Sequence, residues 1–295
     1  MKKKVLVILA AALSLIMLLL PLSACKVREG GETIKLQNTD VSPSTTPSQE
    51  QKIEVKIGGE ADLKGLKISV QQGTTGHDCA RDVVGEGNEN LIYAFARYLD
   101  AITALKQGKV DATIMDKLPA EAALVWNTDL MILPTPLSEE PLALAFKLDD
   151  TELADAANKV IAELQASGQI DKWIQAYFEN EEQAAKELNF NVGAKGGKLV
   201  MGTESGFAPY ETKLGNKVVG SDIALAAAIA KELDKELVVK DMDFDGLIAA
   251  VQQGQIDMIA AGFSKTEDRA KQVLFSDPYT VSYQVIVIRK TSEKK

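Results

Sequence analysis

The sequence predicts an α/β protein of two related lobes facing each other across a cleft, and two correspondences carry that prediction. The segment 104–111, ALKQGKVD, returns in altered form at 250–257 as AVQQGQID, and each copy runs into a short apolar stretch. In addition, ISVQQGTTG at 68–76 and KLVMGTESG at 198–206 both read as a strand running into Gly-Thr. Each repeat copy has the form of a helix end, a glycine in the left-handed region (Gly108, Gly254), and a buried strand. Strand ends rich in small polar residues, one set per lobe, suggest a binding cleft beyond the carboxyl ends of the strands.

At the N-terminus, Lys2, Lys3 and Lys4 precede an apolar run over 5–20 and the sequence Leu22-Ser23-Ala24-Cys25. This pattern predicts a secretory signal peptide over 1–24. The run is short for a bilayer core and is closed by a small-residue cleavage site, which argues against a spanning helix. Leu-Ser-Ala-Cys resembles a bacterial lipobox, which would make Cys25 the lipidated first residue and a membrane anchor. Residues 25–52, with Pro43, Pro47 and their Ser/Thr neighbours, read as a flexible tether.

The whole chain carries 33 basic and 42 acidic residues; without the three signal lysines the balance is 30 against 42, about −12. Nucleic acid is therefore not an expected partner. With Cys25 lipidated, only Cys79 remains, so no intrachain disulfide is expected, and Cys79 reads as a small inert side chain at a helix start.

Along the chain, strands are expected at 68–70, 112–115, 131–133 and 142–146, followed by a helix over 153–164, which Gly168 ends before a second over 170–178. Residues 179–197 read as a frayed helix end and a linker. The second half alternates: a strand at 199–202, a helix capped by Ser221 and Asp222 and running to about Leu233, a strand at 237–242, a helix from Asp245 to Gly254, and a strand at 256–261. Alternation of this kind implies a largely parallel sheet with helices on both faces. It puts 204–207, Phe244, 261–264, 73–76 and Asp116 on one edge. Thr266 is expected to cap a short helix with Arg269 in its first turn, where a guanidinium opposes the helix dipole but suits an anion clamp.

From Lys198 to about Lys290, the stretches GTESGFAPYE, VVGSDIALAAAIAKEL, DFDGLIAAVQQGQIDMIAAGFSKTEDR and FSDPYTVSYQVIVI resemble the first lobe of the amino-acid-binding proteins of ABC importers. That family is solute-binding family 3, with the type II periplasmic binding fold. DLKGLKISVQQGTTG, ALKQGKVDATIMDKLPAE, PLALAF and SGQIDKWIQAYF resemble its remainder. The order is exchanged relative to the family, so the resemblance implies a circularly permuted, two-lobed type II fold with a hinge. The implied division is 53–141 plus 282–292 for lobe 2 and 142–281 for lobe 1, with the joining linker near 179–197 and crossings near Pro141 and Ser282. Permutation at an exposed loop commonly preserves a fold.

Carried over residue by residue, the resemblance implies that Arg269 clamps a ligand α-carboxylate, aided by Ser264 and by Thr74 and Thr75 of the GTTG turn. The Gly262 carbonyl and Asp116 would face the α-ammonium, Phe207 and Phe244 would wall the side chain, and Glu204 would reach its distal end, favouring a polar or basic amino acid. Ala224 and Glu267 depart from the family's usual Asp and Pro. His77 could reach the cleft or sit exposed on the helix start, and exposure is the favoured expectation. The implied partners are a free amino acid, an ABC permease with its ATPase, and the extracytoplasmic face of a bacterial membrane through the lipid. A monomer is expected, with no metal or cofactor. Two rivals are an enzyme using Glu204 or Glu211 as general acid and a ligand-sensing module, the latter disfavoured because no membrane helix leads to a signalling output.

Overall fold

The computed structural model describes residues 56–292. The expected signal peptide, Cys25 and the tether lie outside the described residues.

In chain order the elements begin with β1 (Ile68–Gln71), α1 (Thr75–Val84), β2 (Ile92–Phe95), α2 (Tyr98–Lys106), β3 (Ala112–Asp116) and α3 (Lys117–Val125). They continue with β4 (Leu130–Ile132), β5 (Ser138–Leu142), β6 (Ala145–Phe146), α4 (Thr151–Ala166) and α5 (Gln169–Ala185). Next come β7 (Lys198–Thr203), β8 (Gly206–Phe207), β9 (Glu211–Leu214), β10 (Lys217–Val219), α6 (Ser221–Glu232) and β11 (Glu236–Asp241). The last are α7 (Leu247–Gln252), β12 (Met258–Ile259), α8 (Glu267–Ala270), β13 (Leu274–Phe275) and β14 (Thr280–Arg289).

Two sheets define two lobes. One has the order β2-β1-β3-β14-β4, with β5 also paired to β14; the other has the order β11-β7-β12-β6-β13. Each has a parallel trio flanked by an antiparallel strand, β14 beside β3 and β6 beside β12. In both cases that antiparallel strand enters from chain that has just left the other lobe. The crossings pair with each other, since β5 runs antiparallel to the start of β14 with Glu140 opposite Ser282 and Leu142 opposite Thr280. A two-stranded ribbon thus joins the lobes.

The repeat copies fold alike in detail. Gly108 and Gly254 take φ of 67° and 68°, a conformation that costs glycine little and other residues more. The Gly108 N–H donates to the Leu105 carbonyl and the Lys109 N–H to Ala104, as the Gly254 N–H does to Val251 and the Gln255 N–H to Ala250. These bonds satisfy carbonyls left open by each helix end. Asp111 then accepts from the Lys67 N–H at 3.0 Å and Asp257 from the Val200 N–H at 2.7 Å, tying each copy to the strand beside it.

Several expectations are corrected. Each sheet mixes parallel and antiparallel pairings rather than being largely parallel, because the crossing strands enter reversed. The apolar run 142–146 is not one strand: Leu142 ends β5 in one sheet, whereas Ala145 and Phe146 form β6 in the other. Of the run 256–261, only Met258 and Ile259 pair as strand. Ser221 and Asp222 do not cap α6, whose N-cap is Gly220 with no side-chain bond; both are buried. Instead of fraying at Glu179, α5 runs to Ala185 across a backbone break at Asn180. The short strand β2 and the antiparallel trio β8–β10 were not expected, since neither has a clear apolar period.

Apolar packing falls into one cluster under β1 and β14 (Ile68, Val70, Ile114, Ile286) and another under β12 and α7 (Leu247, Ile256, Ile259, Phe263). The largest cluster continues across both lobes through Tyr98 and Phe207, whose rings stack with centroids 5.1 Å apart.

Candidate functional site

The strand ends of both lobes converge on one small cavity of about 270 Å³, counting its open mouth. All nine residues expected at the site line it, joined by Gln71, Tyr98, Glu211 and Ala261.

Arg269 sits in α8, whose N-cap Thr266 accepts from the Arg269 N–H at 3.2 Å. Its guanidinium is buried and lies over the Phe263 ring at 4.2 Å and the Phe244 ring at 5.4 Å. It donates to the Ser264 carbonyl in its own lobe at 2.8 Å and to the Gly73 carbonyl of the opposite lobe at 3.0 Å. Burial lowers its pKa from the ordinary value, and the Glu140 charge opposes that shift.

Thr74 is the N-cap of α1, accepting from the His77 N–H; its own hydroxyl donates to the Gln71 carbonyl at 2.9 Å. Thr75 and Ser264 approach from opposite lobes, their hydroxyls 3.5 Å apart. Both donate to one oxygen of Glu140, each at 2.6 Å. The Glu140 carboxylate therefore occupies the hydroxyl pair that the resemblance assigns to a ligand carboxylate. The alternation of β5 could have located it, since Glu139 is exposed and Glu140 buried.

Asp116, at the end of β3, is buried and accepts from Ser282 at 2.7 Å and from the Gln284 amide at 2.8 Å. Desolvation pushes its pKa up to about 7, against the pull of the Ser282 hydrogen bond. Gly262 has φ of 51°, and a Cβ there would stand 2.4 Å from the Phe207 ring. Its N–H donates at 2.8 Å to Asp222, which also accepts from the Tyr279 hydroxyl at 2.8 Å. Asp222 thus pins the loop that presents Ser264; burial raises its pKa to about 6.

Phe207 stacks between Tyr98 and Tyr210. Glu204 is buried, and its two oxygens are already engaged: Arg97 of the opposite lobe donates at 2.6 Å and Gln71 at 3.1 Å. Glu211, 1% exposed, is different, because neither of its oxygens has a hydrogen-bond partner. Burial raises its pKa well above the ordinary range, reinforced by the charges of Asp222, Glu204 and Asp116. Expected to be exposed, His77 is in fact partly buried, and its pKa is lowered by that burial and then by Arg81. The Cys79 thiol is pushed up to about 11, chiefly by burial, and so is not a poised nucleophile.

Residues 199–295, about a third of the chain, match the model of the bacterial extracellular solute-binding proteins, family 3. It is 43% identical over 104 residues to the arginine-binding extracellular protein ArtP of Bacillus subtilis, covering 35% of this chain and 41% of that protein. It is 34% identical over 113 residues to a probable histidine-binding protein of Campylobacter jejuni, covering 38% and 42%. Among solved structures, an ancestral arginine-binding protein bound to arginine is 52% identical over 30% of this chain and 38% of that one, with a TM-score of 0.28. The chain spans about two fifths of the length of these relatives.

Proposed function

We propose that this chain is the extracytoplasmic substrate-binding component of an ABC amino-acid importer, lipid-anchored through Cys25, holding a basic amino acid between its lobes and delivering it to a membrane permease. Its two lobes carry the family's segments in exchanged order, as a circular permutation. The family and the relatives are described as solute-binding proteins, so the proposal is of a binding protein and not an enzyme.

The observation that carries it is the placing of charge around one cavity. Arg269, reaching both lobes, stands beside the Thr75 and Ser264 hydroxyls, a layout suited to a carboxylate and one that in this structure already holds that of Glu140, which a ligand would have to displace. Asp116 is suited to an ammonium. Farther along, the acids Glu204 and Glu211 line the same cavity; Glu204 is held by Arg97, and Glu211 has no hydrogen-bond partner and is pushed by burial toward its neutral form, so this acid pair is where a ligand cation would be met. An α-amino acid with a cationic side chain answers all three groups. The two relatives compared by sequence are described as binding arginine and histidine, which fits a cationic side chain.

The test is thermal unfolding of the chain with each of the twenty amino acids. A ligand bound only by the native state stabilises it by about 2.7 kcal/mol at 100 times Kd. Arginine, lysine or histidine should raise the midpoint by several degrees and leucine or glutamate should not; the opposite ranking sinks the proposal.

A further inference from the structure

We infer that Arg97 is a built-in competitor for the cationic end of the ligand, and that it sets how strongly the site prefers basic over neutral polar amino acids. The inference rests on the amino-acid-binding reading above.

Arg97 is the N-cap of α2 and makes no capping bond. An arginine is a poor occupant of that position, where Ser, Thr, Asp or Asn would satisfy the open N–H groups and where a cation opposes the helix dipole. Its placement is accounted for by what it reaches. The guanidinium leaves its own lobe and meets Glu204 at 2.6 Å, with its other nitrogen 3.7 Å from Asp243 of the same opposite lobe. The Arg97 side chain is 37% exposed, whereas that of Glu204 is 1% exposed. A cation at the cleft rim therefore reaches inward to neutralise an acid on the cavity wall.

The second oxygen of Glu204 is held by Gln71, whose amide is braced by the Ala96 carbonyl at 2.8 Å. A ligand guanidinium or ammonium approaching Glu204 must displace Arg97 or share the carboxylate with it. A neutral amide meets no such charge repulsion. Arg97 is 37% exposed and can turn back to water, while Glu204 keeps its Gln71 hydrogen bond and gains the ligand cation, so the device tunes affinity rather than blocking entry.

The experiment is calorimetric titration of the full chain and its Arg97→Met variant, which keeps the apolar stem, with L-arginine and with L-glutamine. Both ligands require the same closure of the lobes, so the ratio of their Kd values cancels any effect of Arg97 on closure. The preference for arginine should rise about tenfold in the variant, the scale of one charge-assisted hydrogen bond. Arg97→Gln should give the same direction if the Met variant fails to fold. An unchanged or reduced preference, with the unaltered chain still binding, overturns the inference alone. If the unaltered chain binds neither ligand, the amino-acid reading falls and the inference with it.

Discussion

The two lobes share one unit and part company where it ends. From α2 into β3 and from α7 into β12, the glycine φ angles agree within a degree, the two helix-closing bonds fall on matching residues, and an Asp ties each copy to its neighbour strand. Past the strand, one copy delivers Asp116, an acid held by Ser282 and Gln284. The other delivers Gly262, Ser264 and, one turn later, Arg269. Repeated residues close helices and start strands; the residues that differ carry opposite charges to opposite sides of the cavity. On the proposed amino-acid-binding reading, a zwitterion meets one of each, and closure would be favoured by contacts made only when the lobes meet.

That division can be broken on its functional side first. Asp116→Asn should weaken binding of L-arginine about 100-fold, the usual cost of truncating one partner of a buried charge pair. It should also flatten a pH dependence whose sign is fixed. Asp116 is held up to about 7 from its ordinary 3.8, mainly by burial, so the empty folded protein retains a proton that the unfolded chain has lost. The associated stability is complete below the unfolded value and is lost as pH rises through about 7. Pairing with a ligand ammonium requires the ionised form, so arginine affinity should increase as pH rises through the same window. Calorimetry at several pH values checks both points, and an affinity that falls with rising pH there contradicts the pairing.

The structural side should give a smaller, symmetrical effect. Gly108→Ala and Gly254→Ala each force a Cβ into the left-handed region, costing about 1 kcal/mol. Urea denaturation should find the two costs within about 0.5 kcal/mol of each other, with arginine affinity unchanged in both. Strongly unequal costs would mean that the copies are alike in sequence but not in role.

The sequence made the shared unit legible because glycine after a helix and an apolar run leave strong local marks, as at Gly108 and Gly254. The strands of the crossing were misread for a physical reason. The run 142–146 is uniformly apolar because both halves are buried, and burial does not say in which sheet. The nine candidate residues named through the resemblance all line one cavity. Missed were groups whose partners are far along the chain: Arg97, Glu140 and Gln284 are separated from theirs by 107, 124 and 168 residues. No local pattern records such pairings. Glu211 was noticed only as a candidate acid, since its lack of partners is a property of the packed core.

The central claim is that Arg269 binds the carboxylate of an amino acid enclosed by both lobes. Calorimetric titration of the full chain with L-arginine, beside the Arg269→Ala variant, tests it most directly. The account predicts saturable one-to-one binding by the unaltered chain and a loss of about 100-fold or more in the variant, whose thermal transition stays cooperative. Equal affinity in the two proteins would contradict it.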